Sequence, residues 1–119
     1  MQIKLNHFSL SEFDCPYCGA NRMHKSFLKR FDLARKISDV PYIVTSGYRC
    51  KKRNKEVGGK EDSSHLIGIA ADIKCETSYM RSRIIYGLMK AGFIRIGIGP
   101  DFIHTDDDVA KAQEVIWLY

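Results

Sequence analysis

Three separated residues in this 119-residue chain have the types and spacing of a metal site. His65 and Asp72 stand seven residues apart in "SSHLIGIAADIKC", with small and apolar residues between them. His104 lies in "DFIHTD". Together they offer two nitrogens and one oxygen. Zinc takes such sets in hydrolases and leaves its fourth position for water. Water held there has a pKa of about 7, so hydroxide is available at neutral pH.

Cleavage needs more than a metal. A base must take the proton of the attacking water, and a cation must steady the oxyanion. Asp101, three residues before His104, is the candidate base. Arg49, in "SGYRC", is the candidate cation, because a guanidinium stays charged and grips an oxyanion or carboxylate with two donors. Each residue alone has a plainer reading. A lone strand histidine is commonly a satisfied core or surface residue. Asp72 suits a turn, Arg49 belongs to a basic run, and Asp101 follows Pro100 where turns favour Asp. The spacing of the whole set outweighs these readings.

The elements that must position these residues are legible from periodicity. Residues 24–38 place Phe27, Leu28, Phe31, Leu33, Ala34 and Ile37 at near-helical spacing, and Pro41 ends the helix. "YIVTS" at 42–46 is β-branched and reads as a strand. "NKEVGGKEDSS" at 54–64 reads as a loop, and "IGIAADIKC" as a second strand. A second amphipathic helix spans 78–91, and Gly92 stops it. Strands follow at 93–99 and 101–106, joined by a Gly-Pro turn. A helical turn is expected within 107–113, and "EVIWLY" reads as a final strand. Ser9 and Glu12 have capping-box spacing in "SLSEF". The sum is an α+β fold, with a central antiparallel sheet and flanking helices.

The whole chain sets further bounds. Its length fits one domain, 1–119. An apolar fraction of 45% and a charged fraction of 28% are ordinary for a soluble globular protein. No apolar run approaches the ~20 residues of a membrane helix. The N-terminus lacks the pattern of a signal peptide, so synthesis and folding in a cytosol are expected. The net charge of +5 is partly concentrated in "RCKKRNK" at 49–55. Such a run is a solvated loop or a patch for an anionic polymer. Without aromatic interleaving or a helix-turn-helix or RRM signature, no nucleic-acid partner is expected.

Four cysteines, Cys15, Cys18, Cys50 and Cys75, remain. Cys15-Pro-Tyr-Cys18 has the spacing of a metal knuckle or a redox motif, but no strand precedes it as a redox motif requires. Two readings stay open. The cysteines are reduced, buried thiols, or they form a cluster near the metal set, as thiols or as a second zinc site.

Several elements now agree in order and spacing. "SGYR" (46–49), "N…VGG" (54, 57–59), "SSHLIGIAADI" (63–73) and "DFIHTD" (101–106) resemble the Hedgehog/D-Ala-D-Ala peptidase fold. Within it they are most similar to the M15 family of zinc D-Ala-D-Ala carboxypeptidases and L-Ala-D-Glu endopeptidases. The pattern S-x-H-x2-G-x-A-x-D is met by Ser63, His65, Gly68, Ala70 and Asp72, and acidic-x2-H-x-D by Asp101, His104 and Asp106. The resemblance covers residues 8–119, and "HFSLSEF" resembles the opening of small phage and prophage members.

The resemblance implies that His65, Asp72 and His104 hold one catalytic zinc. It implies that Asp101 is the acid/base, Arg49 the substrate or oxyanion arginine, and Ser63 a hydroxyl near the substrate. Asp106 is then supporting rather than catalytic. The implied substrate is the stem peptide of peptidoglycan, and the implied setting is a cell-wall hydrolase such as an endolysin. A monomer that reaches the wall after release or delivery from the cytosol is expected, as a lysin, a virion-associated enzyme or a housekeeping hydrolase.

Overall fold

The computed structural model describes residues 3–119, which form one mixed five-stranded sheet with helices on one face. In chain order the elements are α1 (Lys25–Ser38), β1 (Val44–Ser46), α2 (Lys51–Glu56), β2 (Ala70–Lys74), α3 (Ser78–Lys90), β3 (Arg95–Ile98), β4 (Phe102–Asp106) and β5 (Val115–Leu118). Short 3-10 turns at Leu10–Phe13 and Ser64–Ile67 precede α1 and β2.

Strand alternation divides the sheet into two faces. Ala71, Ile73, Ile96 and Ile103 are fully buried and face the helices. There they meet Phe27, Leu28 and Phe31 of α1 and Ile84 and Leu88 of α3. Phe8, Phe13, Phe27, Phe31, Tyr42 and Phe93 form a connected aromatic cluster in this layer. The opposite face of the same strands presents polar residues, and that face carries the site.

The strand order is β1-β2-β4-β3-β5. Four strands pair antiparallel, as periodicity predicts. β5 departs from that expectation and runs parallel to β3. It returns along the sheet edge after residues 107–114, which hold turns and not the expected helical turn. Side chains compete with helix formation in this stretch. Asp108 accepts from the Ala110 N–H at 3.1 Å, and Gln113 donates to the Asp108 carbonyl at 2.9 Å.

The capping box is present: Glu12 accepts from the Ser9 N–H at 2.7 Å. The basic run does not form a loop. Lys51–Glu56 is the short helix α2, N-capped by Cys50 and anchored through buried Asn54. No helix among the described residues is long and apolar enough to cross a membrane.

Candidate metal centre

The pairing of β2 with β4 sets Asp72 directly opposite His104. Residues so paired share a face, with Cβ atoms ~5 Å apart. His65 arrives from the 3-10 turn before β2. Ser63 caps this turn, its Oγ accepting from the His65 N–H at 3.3 Å. Gly68 ends it at φ 74°, and a Cβ there would strike the Arg22 backbone. Glycine at this position therefore lets the chain turn from His65 into β2.

These supports bring three donor atoms within 4.8 Å of one another. Asp72 Oδ1 lies 2.9 Å from His104 Nδ1 and 3.3 Å from His65 Nε2. The far nitrogen of each ring is also engaged. His65 Nδ1 is 2.7 Å from the Gly47 carbonyl, and His104 Nε2 is 2.7 Å from Asp106 Oδ2. A carbonyl and a carboxylate only accept, so both far nitrogens carry hydrogen. His65 Nε2 and His104 Nδ1 are left to face Asp72. Histidines that ligate zinc are oriented in this way by outer acceptors. The donor set fits zinc on its own chemistry.

Burial opposes ionisation of Asp72, yet hydrogen bonds from His104 and His65 hold its carboxyl well below the usual carboxylate range. Burial likewise resists the charge on Asp106, but bonds from His104 and Arg95 draw its pKa down to about 2. Burial pushes His104 down, and its bonds to Asp106 and Asp72 more than reverse this, leaving it raised.

Arg49 borders the donor set with a fixed guanidinium. Its Nε donates to Ser46 Oγ at 2.8 Å, its Nη1 to Asn54 Oδ1 at 3.2 Å and its Nη2 to Asp72 Oδ2 at 3.3 Å. Asn54 is held in turn by the Lys60 carbonyl at 2.8 Å. A Cβ on Gly59 would collide with the Asn54 side chain. The "N…VGG" element is thereby explained as the support of Arg49.

The site opens into a cavity of about 750 Å³. Arg49, Ser63, His65, Asp72 and His104 all line it. Asp101 does not. It lies in the bend between Gly99 and β4, outside the strand itself. Its side chain is exposed, and its carbonyl accepts from the Cys75 N–H at 2.8 Å.

The structure adds wall residues that spacing alone did not single out. Buried Arg95 donates to Asp106 at 2.6 Å and lies 4.8 Å from the Trp117 ring centre. Trp117, Tyr119, Lys60 and Lys111 complete much of the lining. Trp117 reaches the site because β5 pairs it with Gly97, which in turn pairs with His104. Only this nonlocal pairing could have revealed it.

The cysteines separate into a group and an outlier. The sulfurs of Cys15, Cys18 and Cys50 lie within 4.8 Å of one another. Burial resists ionisation of Cys15, but backbone N–H groups of Cys50, Cys18 and Tyr17 bring its pKa down to about 7. Cys75 is not part of the group, contrary to the cluster expected of all four. It is buried, with its sulfur 3.7 Å from the Thr77 carbonyl.

Two histidines, a carboxylate and a fixed arginine gathered on the wall of one cavity are the arrangement of a zinc hydrolase. The family model described as Peptidase M15 matches residues 6–106, and the chain belongs to this family of zinc-dependent peptidases. No curated protein matches the chain.

Proposed function

We propose that this chain is a zinc metallopeptidase that hydrolyses a peptide bond of the peptidoglycan stem peptide. The bond is a terminal D-Ala-D-Ala bond or an internal one of the L-Ala-D-Glu type. The observation that carries the reading is the convergence of His65 Nε2, Asp72 Oδ1 and His104 Nδ1 beside Arg49 on a cavity wall. When bound, zinc supplies Lewis-acid chemistry: it polarises a peptide carbonyl and makes water acidic enough to attack at neutral pH.

The remaining roles belong to side chains. Gly47 and Asp106 hold the two imidazoles in the ligating tautomer. Arg49 has given three of its five N–H donors to Ser46, Asn54 and Asp72, so two remain for a substrate oxyanion or carboxylate. Ser63 lines the cavity beside His65 and offers a hydroxyl to the peptide. Lys60 and Lys111 add positive charge to the lining, which suits the carboxylates of a stem peptide. Trp117 and Tyr119 give the cavity an aromatic wall.

The position of Asp101 outside the cavity favours one competing reading, a zinc-binding module without turnover. One experiment separates the two. Purified peptidoglycan is digested with the chain and the products are read by mass spectrometry. New muropeptide ends that vanish on chelation and return with zinc are expected. An unchanged muropeptide profile with zinc-loaded protein would leave only the binding module.

A further inference from the structure

We propose that Cys15, Cys18 and Cys50 form a second metal site, a three-thiolate zinc centre whose fourth position faces solvent. Its three sulfur ligands belong neither to the His65–Asp72–His104 donor set nor to the cavity lining.

The geometry suits the metal. Zinc–thiolate bonds of about 2.3 Å in a tetrahedron set sulfurs about 3.8 Å apart. Cys15 and Cys50 Sγ are 3.7 Å apart, and all three sulfurs fall within 4.8 Å. The Cys15–Cys18 segment is folded into a tight turn around the group. The Cys15 N–H donates to the Ala20 carbonyl and the Gly19 N–H to the Cys15 carbonyl, each at 2.8 Å. Gly19 adopts φ 74°, which closes the turn.

The Arg53 N–H donates to Cys50 Sγ at 3.5 Å, and Cys15 Sγ lies at hydrogen-bonding distance from Cys50 Sγ, 3.7 Å. Donors aimed at sulfur stabilise thiolates, the form that binds metal. Lys52 Nζ lies 4.8 Å from the ring centre of Tyr17, in the Cys15–Cys18 segment, and brings a positive charge to that segment.

Among the described residues no fourth His, Cys, Asp or Glu joins the cluster. Cys15 is buried and Cys18 exposed, so the group opens outward at Cys18. Solvent or an added thiol completes the coordination there. Soft thiolate ligands select zinc over the hard divalent ions.

Such a centre ties the 15–20 turn to the start of α2. Cys50 follows Arg49 directly and caps the helix that carries Asn54. The bond from the Tyr48 N–H to the Phe13 carbonyl at 2.9 Å already joins the same two segments. The metal therefore braces the stretch that aims Arg49 into the cavity.

The test uses metal-free full-length chain titrated with Co²⁺ under reducing conditions. Thiolate-to-cobalt charge-transfer absorption in the near ultraviolet is expected in the wild type and in His104→Ala. It should be lost in Cys18→Ser, whose exposed position leaves the fold intact by circular dichroism. Zinc analysis should show one equivalent fewer in each variant than in the wild type. The proposal is overturned if the wild type shows no such band, if the band survives Cys18→Ser, or if non-reducing peptide mapping of the protein as purified finds Cys15 bonded to Cys50. The His104→Ala arm reports on the peptidase site independently.

Discussion

His104 Nε2 donates to Asp106 Oδ2 across 2.7 Å, and Arg95 holds Asp106 from the other side at 2.6 Å. The histidine is thus fixed by a carboxylate that is itself fixed. Outer acceptors of this kind typically alter metal affinity 10–100-fold, an order-of-magnitude range. Asp106→Asn keeps the shape but weakens the acceptor for His104 and leaves the buried Arg95 charge without its partner. Zinc affinity is expected to fall by about 10–100-fold in competition with a chromophoric chelator. Unchanged affinity would mean that Asp106 serves the fold and not the metal.

Both nitrogens of His104 face carboxylates, Asp72 at 2.9 Å and Asp106 at 2.7 Å. Its pKa is raised above the ordinary 6.5. The sign follows: the ring holds its second proton at pH values where a free histidine has lost it. Zinc must displace that proton from Nδ1. Binding is therefore expected to release a proton near neutral pH, and affinity should rise with pH until His104 deprotonates unaided. Calorimetry in buffers of different ionisation enthalpy measures this release. Zinc uptake with no proton release between pH 6 and 7, bounds set around the ordinary histidine range, would contradict the arrangement.

The donor triad was legible because chemistry and spacing coincide in His65, Asp72 and His104, and no other histidine shares such a context. Helices α1 and α3 were legible because their buried residues recur at helical period. α2 was not, since "KKRNKE" has no apolar face to reveal it. Its order comes from the Cys50 cap and from Asn54, which is buried by contacts with Arg49 and Lys60. The parallel seating of β5, and with it Trp117, depends on a pairing with β3 that no local pattern encodes. Asp101 shows the converse. Its spacing from His104 fits the motif, while its side chain stands exposed in the bend before β4 and does not line the cavity.

Asp101→Asn follows from that placement. With the carboxylate outside the cavity, zinc content and turnover on a muropeptide substrate are expected to stay within a few-fold of wild type. Removing a true general base costs ~10²–10⁴-fold. A loss of that size would show that the Gly99–Asp101 turn carries the carboxylate inward during turnover. The same assay at zinc saturation separates a catalytic effect from metal loss.

Arg49 carries the heaviest load among the residues outside the donor set. It is largely buried, it pairs with Asp72 Oδ2 at 3.3 Å, and Ser46 and Asn54 fix its plane. Arg49→Lys keeps a positive charge but removes the fork, so the bonds to Ser46, Asn54 and Asp72 cannot all be made at once. The remaining ammonium is a single point donor and no longer offers two aligned N–H groups to an oxyanion. Loss of one fixed oxyanion donor costs about 10²–10³ in kcat in enzymes that use one, and a decrease of that order is expected. Zinc content should change little, because His65, Asp72 and His104 remain. Asn54→Ala provides the comparison. It leaves the guanidinium in place but frees one side of it, so a smaller loss of kcat is expected, and Arg49→Lys,Asn54→Ala should be no worse than Arg49→Lys alone. Full kcat in Arg49→Lys, with zinc bound, would remove Arg49 from the chemistry and leave it a neighbour that merely neutralises Asp72.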